Sequence, residues 1–244
     1  TPHLPAFETA TTTSLQCEKA TKGNSISNIS QIGDFIIFLL SFYFSFQSIL
    51  SLYWQNMKPF SSIFFTLLSI SIGFLFTLAI SANSVLFADI PIMYIVTLYI
   101  FILQWIIFIP SYVYQTEHYF DLTGSMTYIT AILLVTLFSQ EINLRDVLIC
   151  SLILIWASRL GLFLSRRVKN AGEDKRFKHI KPNFYQFLMA WTIQGLWVLI
   201  TAGMAFAALS SQKEIGIDAF AVTGGIIWLL GFVIELISDQ QKSK

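Results

Sequence analysis

The chain has 244 residues, of which 55% are hydrophobic, 16% are aromatic and only 12% are charged. Soluble domains carry about 25% charged residues, so this chain has too few charges to cover a water-soluble globule. Its formal net charge of +1 also argues against a nucleic-acid-binding protein, which needs a basic face. We therefore predict an integral membrane protein.

Residues 1–33 are polar and rich in Ser and Thr, and we predict that they form a flexible tail before a single membrane domain, 34–244. The tail lacks the succession of basic, apolar and small residues that marks a secretory signal peptide. The two cysteines, Cys17 and Cys150, lie far apart, and neither lies near a histidine. We therefore expect no disulfide framework and no metal site.

Long apolar runs fill the predicted membrane domain. A bilayer core about 30 Å thick needs about 20 helical residues. Seven runs reach or approach that length, and they are 35–54, 60–80, 90–110, 126–139, 147–165, 184–209 and 217–237. Because these runs are apolar all round and do not alternate, they predict helices. The fold class that we expect is an all-α, multi-pass transmembrane helical bundle of about seven spans.

Basic residues between the runs predict the orientation of the bundle, because short cytoplasmic loops are enriched in Lys and Arg. The segment 166–181 holds seven of the 15 Lys and Arg residues, and we predict that it is a cytoplasmic loop. Counting spans from this loop places the segment 140–146, which contains Arg145, on the opposite side of the membrane.

The first candidate site combines Arg159, inside a predicted span, with the basic segment that follows it. Trp156, Arg159, Phe163 and Arg166 share one helix face, because residues three and four apart are neighbours. An arginine at this depth needs an anionic partner or must extend to the interface. Anchoring to lipid phosphates would explain Arg166 and Arg167, whereas a phosphate-rich ligand would also explain Arg159. Both interpretations stay open.

Glu235 and Asp239 form a second candidate site, one helical turn apart near the end of the last run. Gly224 and Gly231 lie on roughly the same face, where they would let a ligand or a neighbouring backbone approach closely. The two carboxylates could accept hydrogen bonds from the sugar hydroxyls or amides of a ligand, or they could be solvated at a helix end.

A third candidate site lies between the third and fourth runs, where Glu117 and Asp121 are again four residues apart. His118 and Tyr119 beside them are plausible proton donors, although a histidine in such a segment is more often simply solvated.

Two glutamines lie within predicted spans. The amides of Gln104 and Gln194 lie within apolar runs, and we interpret them as residues that form hydrogen bonds between helices.

The chain contains no Gly-x-Gly-x-x-Gly, P-loop, Gly-x-Ser-x-Gly or His-Glu-x-x-His motif. These absences exclude a soluble-type dinucleotide fold and a zincin.

The run from Trp156 to Phe177 resembles a signature of the steroid 5-alpha-reductase-like membrane proteins, the branch once catalogued as a domain of unknown function. Three further pieces follow the family order: the stretch 117–125 with its Phe-Asp-Leu-Thr-Gly-Ser end, Gln194, and Gly231-x-x-x-Glu235-x-x-x-Asp239-Gln240-Gln241-Lys242. The resemblance covers roughly 110–244.

This resemblance implies a membrane-embedded reductase that uses NADPH to reduce a carbon–carbon double bond in a steroid or other lipid. It makes Glu117 and Tyr119 the candidates for the substrate end of the site. It makes Glu235 and Asp239 candidates for binding the nicotinamide or ribose. The candidates for the phosphates are Arg159, Arg166, Arg167 and Arg176. The expected partners are the lipid bilayer and a hydrophobic, lipid-like substrate, in the endoplasmic reticulum or another endomembrane.

Two alternatives stay open. Isoprenylcysteine methyltransferases look like distant relatives with a similar cofactor pocket, so lipid methyl transfer is one of them. The other is a non-catalytic membrane protein whose segment 166–181 binds lipid phosphates. The family continues beyond Lys242 with an Arg-His-Pro-Asn-Tyr-like motif and further helices, whereas this chain stops at Lys244. The resemblance therefore predicts a truncated member that binds its cofactor weakly or does not turn over.

Overall fold

The computed structural model describes residues 59–139, 142–171, 174, 176–211 and 216–242, with the backbone alone for 169–171 and 242. Six helices account for most of these residues. They are α1 (Pro59–Ile80), α2 (Ile92–Val113), α3 (Phe120–Phe138), α4 (Leu144–Ala171), α5 (Phe184–Leu209) and α6 (Ala219–Lys242). The predicted tail, 1–33, and the first predicted span, 35–54, lie outside the described residues.

All six helices are long and apolar enough to cross a membrane. The protein is therefore an all-α, multi-pass transmembrane helical bundle, as predicted. The fourth predicted run, 126–139, was too short, because α3 begins at Phe120 and has 19 residues. Its first turns contain Asp121, Thr123 and Ser125, which lower the local hydropathy. The Thr123 and Ser125 hydroxyls donate to backbone carbonyls four residues earlier. These polar groups therefore find hydrogen-bond acceptors within the helix itself.

Side-chain caps fix where three helices begin, since the first N–H groups of a helix have no partner inside it. Asn143 and Asp146 form a reciprocal capping box at the start of α4, in which each side chain accepts from the other's backbone N–H at 3.1 Å. Asp218 caps α6 by accepting from the N–H of Ala221 at 2.8 Å. The side chain of Asn183 caps α5 in the same way.

α1 packs on α5, and the residues that it buries are small. Its buried residues are Ser62, Ser69, Gly73 and Thr77. Most of its large apolar side chains are exposed, among them Phe60 and Leu75, as contact with lipid requires. Small residues let two helix backbones approach closely, which is a main source of helix packing in a bilayer.

The apolar core lies where α2, α3 and α5 meet, and α4 packs on α3. Its fully buried residues include Ile100 of α2, Ile132 of α3, and Leu199 and Phe206 of α5. Two glutamine side chains form hydrogen bonds between helices here, as predicted. Gln104 donates to the Thr127 hydroxyl at 2.9 Å, and Gln194 donates to the backbone oxygen of Phe120 at 3.0 Å.

A short hairpin connects α1 to α2 and marks one end of the bundle. Its strands are β1 (Leu86–Phe87) and β2 (Ile90–Pro91), paired antiparallel. The two turn residues, Ala88 and Asp89, have φ angles of 49° and 64°, as a two-residue type I′ turn requires. We call this the hairpin end of the bundle, and α4 begins there. The opposite end, where α4 finishes at Ala171, is the basic end.

α6 differs from the other helices in how it is attached. None of its described side chains is fully buried, and its large apolar residues, such as Phe220 and Ile234, are widely exposed. Polar side chains join it to α4. Arg159 of the first predicted candidate site meets Glu235 and Asp239 of the second there.

Candidate functional site

The candidate residues predicted on α4 and α6 come together in one group. We call it the α4–α6 cluster, and it consists of Trp156, Arg159, Glu235 and Asp239. Arg159 donates to Asp239 at 2.8 Å and also to Glu235, while the indole N–H of Trp156 donates to Glu235 at 2.9 Å. The ring of Phe232 lies 5.3 Å from the Arg159 guanidinium carbon. The expected need of Arg159 for an anionic partner is therefore met by two carboxylates.

The charges of this cluster do not cancel. With both carboxylates ionised, one arginine faces two negative charges, which leaves a formal charge of −1. The side chains of Arg159 and Asp239 are only 18% and 14% exposed, so water screens them little. Among the described residues, Arg159 Nε has no hydrogen-bond partner. The cluster therefore has carboxylate lone pairs and one N–H group that could bind a ligand.

Glu117 is a buried carboxylate with two close donors. Its side chain is 1% exposed, and it accepts from Lys181 Nζ at 2.5 Å and from the backbone N–H of Asp174 at 2.7 Å. Burial raises the pKa of Glu117, but the hydrogen bonds from Lys181 and Asp174 outweigh it, so the pKa lies below its ordinary value of 4.5. The ionised carboxylate thus fastens the segment between α4 and α5 to the turn before α3.

Arginines from two separate parts of the chain converge at the basic end. We call this group the basic-end cluster, and it consists of Asp121, Arg167, Asp174 and Arg176. Asp121 faces Arg167 at 3.8 Å and Arg176 at 3.6 Å, while Arg176 pairs closely with Asp174 at 2.5 Å. Burial raises the pKa of Asp174, but the hydrogen bonds and charge of Arg176 lower it by more. The structure thus brings together two of the predicted phosphate-binding arginines.

Apolar anchors hold the segment that carries Arg176. Phe177 and Ile180 are buried in a second apolar cluster with Phe187 and Trp191. The ring of Phe177 also lies 4.7 Å from that of Phe120 on α3. Because both apolar and ionic contacts hold this segment, Arg176 is positioned before any ligand arrives, which lowers the entropic cost of binding.

Other predicted residues lie outside both clusters. Arg166 is exposed on α4 and forms no ion pair with any carboxylate of the described residues. Tyr119 is 56% exposed at the start of α3, and His118 is exposed with its Nδ1 2.7 Å from the Thr116 hydroxyl. The prediction of a loop from 166 onward needs correction, because α4 continues to Ala171. Val168, within the basic run, is buried, so this part of α4 still packs against the bundle.

The sequence did not reveal the partners of Glu117. Asp174 and Lys181 lie 57 and 64 residues further along the chain. The sequence shows only that charged residues are dense between α4 and α5. That density does not predict which acidic residue pairs with which basic residue. No group of three His, Cys, Asp or Glu side chains in the described part of the chain could hold a metal ion.

Both clusters lie within a part of the chain that matches a known family. Residues 105–244 match the family model "Protein of unknown function (DUF1295)", and this match covers more than half of the 244 residues. The chain belongs to this family. No curated protein and no solved structure matches the DUF1295 chain.

The DUF1295 match agrees with the resemblance that the sequence indicated over 110–244. It begins at Trp105, within α2, and includes α3 to α6. All of the residues in the two clusters therefore belong to the family region, whereas α1 and the hairpin precede it.

Proposed function

We propose that this DUF1295 protein is a membrane-embedded reductase that uses NADPH to reduce a carbon–carbon double bond in a steroid or another lipid. The observation that carries the proposal is the placement of two charged clusters on α4. Arg159 and Arg167 lie eight residues apart on this helix, about 12 Å along its axis. A dinucleotide, with its phosphates and two riboses, can extend over that distance.

The arginines of the basic end fit the phosphates of such a cofactor. The side chain of Arg167 is 44% exposed, and its contact with Asp121, at 3.8 Å, is longer than a hydrogen bond. Arg166 is exposed beside it, and the side chain of Arg176, although paired with Asp174 and Asp121, is still 37% exposed. Planar guanidinium groups bind phosphate oxygens in pairs of parallel hydrogen bonds. We therefore assign the phosphates to Arg166, Arg167 and Arg176.

The α4–α6 cluster fits the polar groups at the other end of the cofactor. Glu235 and Asp239 have more acceptor positions than Arg159 and Trp156 occupy, so they could accept from ribose hydroxyls or from the carboxamide of nicotinamide. Arg159 is already bonded to both carboxylates. In this proposal Arg159 orients the two acceptors and does not meet a phosphate.

When bound, NADPH would supply a hydride to the β-carbon of a conjugated enone. The residues of the protein would hold the reactants, and the α-carbon of the resulting enolate would take its proton from water. Tyr119 is exposed at the start of α3, where its phenol could hydrogen-bond the substrate carbonyl and favour charge transfer onto that oxygen. Glu117 acts indirectly in this proposal. Its carboxylate is paired with Lys181 and holds the segment that carries Arg176.

NADPH binding to the full chain in lipid nanodiscs tests this proposal. We expect saturable binding, followed by the fluorescence of the nicotinamide, and about a tenfold or greater loss of affinity in Arg167→Ala. Lys178→Ala is the matched control, because Lys178 is an exposed basic residue of the same segment. The proposal fails if the wild-type chain does not bind NADPH, or if both variants lose affinity equally.

One observation favours lipid methyl transfer as a second candidate. The α4–α6 cluster has a formal charge of −1 and contains the indole of Trp156, and the ring of Phe232 lies beside Arg159. Carboxylates and aromatic faces bind cations well, and S-adenosylmethionine carries a cationic sulfonium. Binding of S-adenosylmethionine by the wild-type chain, with no binding of NADPH, would favour this candidate.

A further inference from the structure

A groove of about 210 Å³ separates α4 from α6 at the hairpin end of the bundle. α4 contributes Leu148 and Leu152 to its wall, and α6 contributes Phe220, Gly224 and Gly225. Apart from the adjoining residues and backbone of α6 itself, no described atom lies within 4 Å of where a Cβ would stand at either glycine. The groove therefore follows from the sequence, because two adjacent glycines remove the side chains that would otherwise fill the gap.

An arginine lies at the mouth of this groove. Arg145 is in the first turn of α4 and lines the groove. It forms no ion pair with a carboxylate among the described residues, and the nearby Asp146 is occupied in the capping box of α4. The cation thus has no identified acidic partner in the described part of the chain.

The depth of Arg145 in the bilayer follows from the length of α4. Arg145 precedes Arg166 by 21 residues, which is about 30 Å of helix. The hydrocarbon core has about the same thickness. With Arg166 at one interface, Arg145 therefore lies at the level of the lipid headgroups in the other leaflet. Leu148 and Leu152 follow it on the same helix face, one and two turns deeper, since they are spaced by three and four residues.

We propose that this groove binds an anionic membrane phospholipid. The phosphate of the headgroup is held by the forked guanidinium of Arg145, and one acyl chain lies between α4 and α6 along Leu148, Leu152 and Gly224. An anionic headgroup is favoured because, unlike phosphatidylcholine, it brings no cation close to Arg145, and the apolar wall with its open glycines accommodates the acyl chain. The proposed cofactor site begins at Trp156, one turn beyond Leu152, and extends toward the other end of α4, and no residue of its two clusters lines the groove.

Native mass spectrometry of the full chain, released from nanodiscs, tests this site. The nanodiscs contain equal amounts of phosphatidylglycerol and phosphatidylcholine. We expect the wild-type chain to retain phosphatidylglycerol in preference to phosphatidylcholine. Arg145→Ala should lower that preference about tenfold or more, the range expected when charge-assisted hydrogen bonds are lost.

Variants of α6 distinguish the effect of filling the groove from the effect of damaging the helix. Gly224→Leu places a side chain inside the groove and should abolish retention of phosphatidylglycerol. Thr223→Leu is the matched control, because Thr223 is exposed on the same helix and does not line the groove. Its lipid retention should equal that of the wild type. Helical content by circular dichroism checks that each variant folds, and Gly225→Leu replaces Gly224→Leu if the latter does not.

Three outcomes would overturn the proposal. The first is equal retention of phosphatidylglycerol by the wild type, Arg145→Ala and Gly224→Leu. The second is equal retention of the two lipids by the wild type, which would mean that headgroup charge plays no part. The third is a dimer of the chain that Gly224→Leu dissociates, which would make the groove an interface between copies. NADPH binding is measured in the same samples, so failure of this site and failure of the proposed function are distinguishable.

Discussion

Arg159 of α4 donates a hydrogen bond to Asp239 of α6 at 2.8 Å, across 80 residues of sequence. Glu235 accepts from the same guanidinium and from Trp156. In a bilayer the lipid tails are as apolar as the helix surfaces, so hydrophobic burial does little to hold α6 in place. The described side chains of α6 are not fully buried, which leaves these polar bonds as a main attachment of the helix.

Removal of Arg159 should therefore destabilise the bundle. Arg159→Ala leaves two carboxylates without their cation in a weakly screened site, and we expect a loss of about 1–3 kcal/mol in the free energy of unfolding. Thermal unfolding of the purified chain in detergent measures it. Arg159→Lys is the control, because it keeps the charge but can pair closely with only one of the carboxylates. An unchanged melting temperature in Arg159→Ala would contradict the role assigned to this cluster.

The buried Glu117 should make stability depend on pH on the acid side. Its pKa is lower in the folded chain than its ordinary value of 4.5. The stabilisation is therefore fully present above 4.5 and is lost as the pH falls through the lower, folded pKa. Asp174 has a lowered pKa and acts in the same direction.

Glu117→Gln isolates this effect, because it keeps the shape of the side chain and removes its titration. We expect the variant to be less stable than the wild type at neutral pH, by about 1–3 kcal/mol. We also expect its melting temperature to change less as the pH falls below 4.5. Parallel melting curves for the two proteins over that range would show that Glu117 does not carry the effect.

Hydropathy predicts the spans because lipid exposure requires long apolar runs, as α1 and α6 illustrate. It misses the start of α3, since Asp121, Thr123 and Ser125 belong to a helix but face protein more than lipid. The partner of Arg159 could be predicted as an acid, because an isolated charge at that depth is costly. Its identity could not, since only the packing of α6 on α4 brings Glu235 within reach.

The close approach of α3 to α4 depends on a glycine. A Cβ at Gly161 would stand 2.7 Å from the Cβ of Ser125, closer than real Cβ atoms approach. Gly161→Ala should therefore separate the two helices and cost about 1–3 kcal/mol. Gly231→Ala is the matched control, because nothing lies within 4 Å of its Cβ position. It should be neutral or stabilise the chain by up to about 1 kcal/mol, since alanine favours helix.

The same unfolding assay in detergent compares the two alanine variants directly. A Gly161→Ala chain as stable as Gly231→Ala would mean that α3 and α4 can move apart without cost. The packing of the basic-end cluster would then not depend on that contact.

Exchanging arginine for lysine distinguishes a phosphate site from a lipid anchor at the basic end. Arg167→Lys keeps the positive charge but removes the planar fork that binds two phosphate oxygens at once. If Arg167 binds the phosphates of NADPH, we expect affinity to fall about three- to tenfold, measured by nicotinamide fluorescence in nanodiscs. Lys178→Arg is the control, since it alters an exposed basic residue without changing the charge. NADPH affinity that is unchanged in Arg167→Lys would favour lipid anchoring, for which charge alone matters.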